Sequence, residues 1–346
     1  MNDPSATLGF MLGTMAGDTI GLPFERLSHA RVRALVGDKP LQQRLVFGRG
    51  MVSDDTEHAV MTVLAWRRSN GDADAFAKYL ARYLRLWFIC LPPGCGMATA
   101  KACIRLLLGV SPSRSGVHSA GNGPVMRTGV LGTLCQNEAE LRSYVRIASR
   151  ITHTDERAEH GALAVALAAM IARGSNGCPS KLEIYYETIA VNLPDGEMRN
   201  AIESVVASVK DKESSEEYAA RTCGKTGVSG FIMHTVPVAI HLWLSERGST
   251  ENGIRRAVLL GGDTDTLAAI VGGLLGAQSP EQIPTDWLAR VKDYPVTRSY
   301  IEELCTQGDP PAIPSLWWFA FQPIRNAAFL AVVLTHVVRR AFPPYR

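Results

Sequence analysis

The fold of this chain is decided by an acidic stretch between two apolar runs, Gly261-Gly262-Asp263-Thr264-Asp265-Thr266. Carboxylates in apolar surroundings cost several kcal/mol or more when no counter-charge meets them, so a positive group is expected nearby. The glycines permit backbone conformations that other residues resist, and the threonines can cap a helix or bind a cation through oxygen. The stretch therefore indicates a helix cap, a cation site, or both at the start of a buried helix.

A second stretch repeats this chemistry, since Ser53-Asp54-Asp55-Thr56 precedes the helical run 59–66. Adjacent aspartates repel each other unless a cation lies between them. If the two helix starts pack side by side, their side chains form an all-oxygen cage, and such ligands favour Mg²⁺, Mn²⁺ or Ca²⁺. Four carboxylates favour two ions over one. The predicted metal ligands are Ser53, Asp54, Asp55, Asp263, Asp265 and Thr266.

Three further positions carry chemistry that local structure can also explain. Glu25 follows the apolar run 8–18 and a turn at Pro23, so it is either a surface residue or a carboxylate placed for acid–base or ligand-gating work. Asn122 lies between two glycines and forms either a tight turn or a polar ligand site. His153 lies in a capping turn, where its ring is either structural or reaches a cleft.

The rest of the chain is helical by pattern. It shows no sustained period-two alternation, and no Asn-Gly or Asp-Gly turn separates β-branched runs, so we predict an all-α fold, and no domain boundary is evident before about residue 306. Residues 231–244 are typical of a core helix that is kinked or broken near Pro237. Capping-box spacing is present at Ser180 with Glu183, Ser214 with Glu217, and Ser279 with Gln282.

Composition places the protein among ordinary globular chains. Of its 346 residues, 46% are hydrophobic and 20% are charged, and the formal net charge of +3 is too small to indicate a nucleic-acid partner. Seven cysteines without a Cys-x-x-Cys pair argue against a disulfide framework and a zinc ribbon. The N-terminus lacks the features of a signal peptide. We therefore expect a reducing, cytoplasmic location.

The C-terminal region carries one membrane-like segment, residues 326–338, between Arg325 and Arg339. Its uncharged length falls short of the roughly 20 residues that cross a bilayer, so we expect no membrane span. A buried terminal helix is the favoured interpretation, and docking on a membrane surface or on a partner protein is the alternative. We place a domain boundary near residue 306, with a core over 1–305 and a C-terminal extension over 306–346.

Five motifs, in their order along the chain, resemble those of the ADP-ribosylglycohydrolases related to dinitrogenase-reductase-activating glycohydrolase. They are Gly17-Asp18 with Gly21-Leu22-Pro23-Phe24-Glu25, then Ser53-Asp54-Asp55-Thr56, then Gly121-Asn122-Gly123-Pro124-Val125-Met126-Arg127, then His153, and last the opening stretch 261–266. Each motif alone is weak, but five in this order are specific. The resemblance implies a compact all-α fold, a binuclear Mg²⁺ or Mn²⁺ centre, and cleavage of the bond between ADP-ribose and an acceptor, often an arginine side chain.

The resemblance also implies roles for individual residues over the catalytic domain 1–305. The six oxygen-bearing residues above are similar to the family's metal ligands. Glu25 is similar to a carboxylate that gates or assists substrate binding, and Asp55 is the candidate to orient the water or the ribose. The residues similar to contacts with ADP-ribose are Gly121, Asn122, Gly123, Met126 and His153. Ser53 stands where many members have Thr, which keeps the hydroxyl.

The function that these residues indicate is hydrolysis of ADP-ribosyl-arginine on a protein, which would reverse the action of an ADP-ribosyltransferase. Other linkages of ADP-ribose, to serine, DNA or a small metabolite, are alternatives within the enzymes. A different class is a binding protein that protects against an ADP-ribosylating toxin by occlusion. The expected partners are therefore an ADP-ribosylated protein and, for an immunity protein, a cognate toxin.

Overall fold

The computed structural model describes residues 4–174, 181–224, 226–246, 249–306, 316–340 and 342. These residues form the helices α1 (Pro4–Gly21), α2 (His29–Val36), α3 (Asp54–Ser69), α4 (Ala73–Ile89), α5 (Met97–Leu107), α6 (Val125–Thr128), α7 (Leu131–Leu134), α8 (Glu138–Arg150), α9 (Glu156–Ala172), α10 (Lys181–Asn192), α11 (Glu197–Lys210), α12 (Ser215–Cys223), α13 (Ile232–Ser245), α14 (Thr250–Leu259), α15 (Thr264–Gln278), α16 (Thr285–Ala289), α17 (Arg298–Thr306) and α18 (Leu316–Arg339). Short 3₁₀ helices cover Leu22–Phe24 and Pro280–Gln282. Two strands, β1 (Leu27–Ser28) and β2 (Gly261–Gly262), pair antiparallel. The all-α prediction is confirmed, with this two-residue pair as the exception.

The centre of the domain is the pair α1 and α15, which run antiparallel along each other. The small residues that face each other across this glycine seam are Gly9 and Gly276, Gly13 and Gly272, and Gly17 and Ala268. A Cβ added at Gly13 would overlap the carbonyl oxygen of Gly272, so the two backbones approach more closely than side chains allow. Thr264 donates its hydroxyl to the Gly21 carbonyl oxygen at 2.9 Å. The end of α1 and the start of α15 therefore lie together.

The remaining helices surround the glycine seam. Helices α13 and α14 pack on α15, α3 packs on α1 and α6, and α9 contacts α6, α7 and α13. Large apolar side chains such as Trp243, Tyr185 and Phe76 are fully buried among them. This arrangement brings the starts of α3 and α15, which carry the two acidic motifs, to the same end of the seam, and it confirms the prediction of one compact domain.

The predicted capping boxes have different outcomes. The box at Ser214 and Glu217 is confirmed, with both reciprocal hydrogen bonds present. The box at Ser279 is wrong, because its side chain makes no cap bond and Pro280 opens a single 3₁₀ turn in place of an α-helix. The box at Ser180 lies outside the described residues.

Two predictions about apolar helices need correction. The predicted core helix is present as α13, and only the alternative of a break at Pro237 is wrong, because proline removes a single N–H and the helix continues over Ile232–Ser245. The prediction of a buried terminal helix is wrong for most of α18. By length and composition alone Phe321–Arg339 is able to cross a membrane, but only 22% of this stretch is buried in the protein.

Candidate active site

The first acidic motif begins α3 and is held by Asp18, a carboxylate buried in α1. Ser53 is the N-cap of α3, and its Oγ accepts the Asp55 N–H at 3.2 Å. Asp18 Oδ2 accepts the Ser53 N–H at 2.9 Å and both the N–H and the hydroxyl of Thr56. The central helix α1 therefore fixes the turn that presents Asp54 and Asp55.

The strand pair ties the second acidic motif to the segment that carries Glu25. The Arg26 N–H donates to the Gly262 carbonyl oxygen at 2.6 Å, which continues the pairing of β1 with β2. Gly261 and Gly262 have φ angles of 71° and 86°, a region that favours glycine. The conformational role that the sequence indicates for these glycines is confirmed, and the pairing brings Glu25 close enough to sense the charge of Asp263.

Asp263 occupies the N-cap position of α15 without capping it. Its side chain makes no cap bond, and its Oδ2 accepts a hydrogen bond from Asn122 Nδ2 at 2.7 Å. The same Nδ2 donates to the Thr235 hydroxyl at 3.1 Å. Of the alternatives left open for this stretch, a helix cap formed by Asp263 is therefore excluded, since the loop around Asn122 engages the carboxylate. Both amide hydrogens of Asn122 are used inside the protein, which leaves its Oδ1 as an acceptor.

The two acidic motifs meet through Asp55. Its Oδ2 accepts the Thr266 hydroxyl at 3.1 Å and the Ser53 hydroxyl at 3.3 Å, so one carboxylate joins α3 to α15. Asp55 and Ser53 are buried behind the floor of a cleft, whereas Asp54 and Asp265 lie on its surface. The structure thus brings the predicted ligands together, with two of them one layer deeper than the others.

A cleft of about 570 Å³ opens above this floor. The sequence-predicted residues that line it are Glu25, Asp54, Gly121, Asn122, Gly123, Met126, His153, Asp263, Asp265 and Thr266. Residues from the first third, the middle and the last third of the chain therefore share one concave site.

His153 forms one wall of the cleft. Cβ atoms added at Gly121 and Gly123 would lie 3.2 and 3.0 Å from its ring, so these glycines make room for the imidazole. Arg127 donates to the Thr152 hydroxyl, whose own hydrogen is then available for His153 Nδ1 at 2.8 Å. In the tautomer in which this hydroxyl donates to Nδ1, Nε2 carries the hydrogen. Burial, with the charge of Arg127, lowers the pKa of His153 to about 3, so the ring is neutral.

The carboxylates of the floor raise one another's pKa. Burial, followed by the charges of Asp18 and Asp54, raises the pKa of Asp55 well above its usual range. Burial and the charge of Glu25 do the same to the pKa of Asp265. Burial also raises the pKa of Asp18 to about 6. The floor therefore holds more negative charge than the surrounding side chains neutralise, which is the situation that a bound cation relieves.

Two properties of the floor fit a divalent cation. The Oδ1 atoms of Asp18, Asp55 and Asp265 are buried and have no hydrogen-bond partner. The predicted donors are all oxygens, which Mg²⁺, Mn²⁺ and Ca²⁺ prefer. Among the described side chains, however, no three Asp, Glu, His or Cys groups have the spacing of a metal-ligand cluster. The floor fits a cation by its charge and its unpartnered oxygens, and not by a preformed ligand shell.

Three contributors to the site had no role predicted from sequence. Asp18 supports the first acidic motif, whereas the sequence showed it only as part of the Gly17-Asp18 motif. The loop 226–230 also lines the cleft, and its sequence signal is the pair Gly227 and Gly230. Arg127 is fully buried and donates to the Gly123 carbonyl oxygen at 2.9 Å, which holds the loop in place.

The fold and the site define a class of protein, in which an all-α domain brings two acidic helix starts together beneath a polar cleft. Residues 2–312 match the ADP-ribosylglycohydrolase family, and the chain belongs to this family. The resemblance carried by the five sequence motifs is thereby confirmed.

Curated relatives and a solved structure agree with this assignment. An uncharacterized protein of Archaeoglobus fulgidus is 31% identical over 305 residues, which cover 86% of this chain and 93% of the relative. The ADP-ribosylhydrolase ARH3 of Xenopus tropicalis is 25% identical, with 86% and 93% covered. A solved structure described as an ADP-ribosylglycohydrolase-related protein complex matches with a TM-score of 0.62 at 27% identity, over 87% of this chain and 96% of its own. The protein is thus an ADP-ribosyl hydrolase of a family that uses divalent metals.

Proposed function

We propose that the protein hydrolyses the N-glycosidic bond between ADP-ribose and an arginine side chain of a modified protein, with two Mg²⁺ or Mn²⁺ ions. The charge of the cleft supports the arginine acceptor. Among the described residues that line it, the charged ones are Glu25, Asp54, Asp263 and Asp265 against Arg26. Such a cleft attracts the cationic guanidinium of ADP-ribosyl-arginine, and it offers no comparable attraction to the neutral oxygen of a serine linkage.

The walls of the cleft complement the rest of this substrate. His153 lies on one wall, and in the tautomer in which Thr152 donates to Nδ1, its Nε2–H is a donor suited to a pyrophosphate oxygen. Asn122 lies nearby with Oδ1 as an acceptor, which suits a ribose hydroxyl. A ligand held at both points would place its anomeric carbon over the acidic floor.

The acidic floor suits the chemistry of glycosidic cleavage. Breaking the bond builds oxocarbenium-like positive charge at the anomeric carbon, and buried carboxylates stabilise that charge strongly. Glu25 lies at the cleft surface beside Asp263, where it is placed to exchange a proton with water or with the leaving group. Divalent ions, when bound by the six predicted oxygen ligands, supply Lewis acidity that orients and polarises oxygen atoms there. Asp55, one layer deeper, positions Thr266 and Ser53.

The acceptor is tested with two peptides that carry ADP-ribose on arginine or on serine. The protein is incubated with each peptide and Mg²⁺, and free ADP-ribose is measured by chromatography. We expect release from the arginine peptide, loss of release on chelation, and recovery when Mg²⁺ or Mn²⁺ is restored. If ADP-ribose is released from the serine peptide alone, the acceptor is serine and not arginine, and the hydrolase assignment still holds.

The floor is tested with the double variant Asp263→Ala, Asp265→Ala. We expect release to fall by about 100-fold or more while the far-ultraviolet circular dichroism is unchanged. The exposed carboxylate variant Asp211→Ala is the matched control and should keep full activity. If the double variant loses hydrolysis but still protects a target from an ADP-ribosyltransferase, occlusion and not hydrolysis is the protective function.

A further inference from the structure

The polarity of α18 is inverted relative to an ordinary surface helix, because its polar side chains face the protein. Asn326 Nδ2 donates to the Cys90 carbonyl oxygen at 2.7 Å. Further along the helix, His336 Nε2 lies 2.6 Å from the Leu45 carbonyl oxygen. Both side chains are buried. The inward stripe of α18 thus binds loops of the domain through hydrogen bonds.

Arg325 is the anchor of this inward stripe. Its Nε donates to Asp293 Oδ1 at 2.9 Å, its Nη2 donates to the Val52 carbonyl oxygen at 2.7 Å, and its Nη1 lies 3.4 Å from Glu57 Oε1. Gln322 Nε2 donates to the same Glu57 oxygen at 3.1 Å. Withdrawing Arg325 would leave two buried carboxylates without their cation, which is strongly unfavourable. The helix is therefore held on the domain and does not leave it to cross a bilayer.

The outward stripe of α18 is apolar. Its large side chains, each 45% to 65% exposed, are Phe321, Ile324, Leu330, Leu334, Val337 and Val338. At 3.6 residues per turn, all the exposed positions of Phe321–Arg339 together cover about 200° of the helix circumference. Residues 326–338 contain no Asp, Glu, Lys or Arg. A surface helix normally turns its charged face to solvent, so this face is built for an apolar environment.

A basic border flanks the apolar face. Between α18 and the turn 44–48 lies a cleft of about 640 Å³, lined by Arg44, Arg339 and His336 and by no carboxylate among the described residues. Phe47, at the tip of this turn, is fully exposed and has a φ angle of 48°. The border thus adds positive charge and one projecting aromatic ring to the outward stripe.

Two properties favour lipid over protein as the occupant of this face. Protein interfaces carry about one hydrogen bond per 100–200 Å², whereas Thr335 is the only outward side chain of 326–338 with a donor, and its hydroxyl already donates to the Ala331 carbonyl oxygen. One neighbouring helix would cover only part of an arc of about 200°, while a bilayer interface covers half of a helix lying in its plane. The basic border complements anionic headgroups.

We propose that α18 is an in-plane docking helix that seats the protein on an anionic lipid surface. The outward stripe enters the boundary between headgroups and acyl chains, Phe47 enters beside it, and Arg44 and Arg339 meet the lipid phosphates. The inward stripe keeps the domain attached to the helix, so docking needs no rearrangement of the acidic floor.

The proposal is tested by co-sedimentation of the full chain with vesicles. One set contains phosphatidylcholine alone, and the other contains equal amounts of phosphatidylcholine and phosphatidylglycerol. We expect binding to the second set, weaker binding at high salt, and a loss of about tenfold or more in Leu334→Glu. Leu334 is exposed, so this variant keeps its fold. The matched control is Val191→Glu, at an exposed apolar position on α10, and it should bind as the wild type does.

Three results would overturn the proposal. The first is a wild-type chain that binds neither vesicle set, or a Leu334→Glu variant that binds as well as the wild type. The second is a lipid-free dimer in light scattering that Leu334→Glu dissociates, which would assign the face to a second copy of the chain. The third is resistance to alkaline carbonate extraction, which would show a spanning segment in place of an in-plane helix.

Discussion

The glycine seam between α1 and α15 and the contact between α18 and the domain attach a helix in opposite ways. In the seam, backbones touch because glycines face each other, and no side chain lies between Gly13 and Gly272. In the α18 contact, long polar side chains such as Arg325 reach across to buried partners. The glycine seam requires small residues and does not accommodate larger ones. The α18 contact requires matched charges on the inward stripe, so the outward stripe of the helix can have a separate role.

The difference predicts where an added side chain does most damage. In Gly13→Leu, the new side chain would overlap the Gly272 carbonyl oxygen and force α1 away from α15, so we expect a loss of about 4 kcal/mol or more in unfolding free energy. The matched control is Gly174→Leu, because a Cβ there meets no atom closer than 3.9 Å. Urea unfolding followed by circular dichroism measures both. Equal stability of the two variants would contradict the seam as described.

Removing the anchor of the α18 contact should have the next largest effect. Arg325→Met keeps the apolar stem but leaves Asp293 and Glu57 buried without a cation, at a cost of about 3 kcal/mol. Arg298→Met breaks an exposed ion pair with Glu302 and should cost less than about 1 kcal/mol. Urea unfolding under identical conditions compares the two. A similar cost for both would mean that the α18 contact does not depend on its charges.

The same variant links the α18 contact to the site. Arg325 holds the Val52 carbonyl oxygen, and Val52 directly precedes the cap residue Ser53. We therefore expect Arg325→Met to lower ADP-ribose release beyond its effect on folding, and Arg325→Lys to restore part of the release. Unchanged release by folded Arg325→Met would show that the turn before α3 holds its position without α18.

The comparison also explains which parts of the structure could be predicted from sequence. The convergence of the two acidic motifs was predictable, because paired carboxylates at helix starts need a shared counter-charge. The unusual backbone conformation at Gly261 and Gly262 was predictable for a similar reason, since positive φ angles are unfavourable for most other residues. In each case the free-energy cost that makes the prediction possible arises from a few residues that are adjacent in the sequence.

The sequence-based predictions failed where the free-energy cost of a conformation depends on residues that are far apart in the sequence. Burial of α18 was predicted from its apolar composition, yet the few polar residues, Gln322, Arg325, Asn326 and His336, decide which face points inward. Asp18 had no predicted role because its partners lie at the start of a different helix. Capping of α15 by Asp263 was one open alternative, and the hydrogen bond from Asn122 that excludes it is a tertiary contact, which the local sequence does not show.

The smallest expected effect is a pH dependence that acts on the α18 contact and leaves the glycine seam unchanged. Burial, together with the charges of Arg340, Arg339 and Arg44, lowers the pKa of His336 from its ordinary value of 6.5. The unfolded chain therefore binds a proton at a higher pH than the folded chain. The stability that neutral His336 contributes is fully present above about pH 6.5 and is lost as the pH falls below that value.

A His336→Gln variant isolates this contribution, because an amide can still donate to the Leu45 carbonyl oxygen but does not titrate. Other buried histidines titrate equally in both proteins, so they cancel in the difference of unfolding free energy. We expect that difference to shift in favour of the variant as the pH falls from about 6.5, by at most about 1.4 kcal/mol per pH unit. Urea unfolding at several pH values measures it. If the difference in unfolding free energy does not change with pH, the titration of His336 does not affect the stability of the α18 contact.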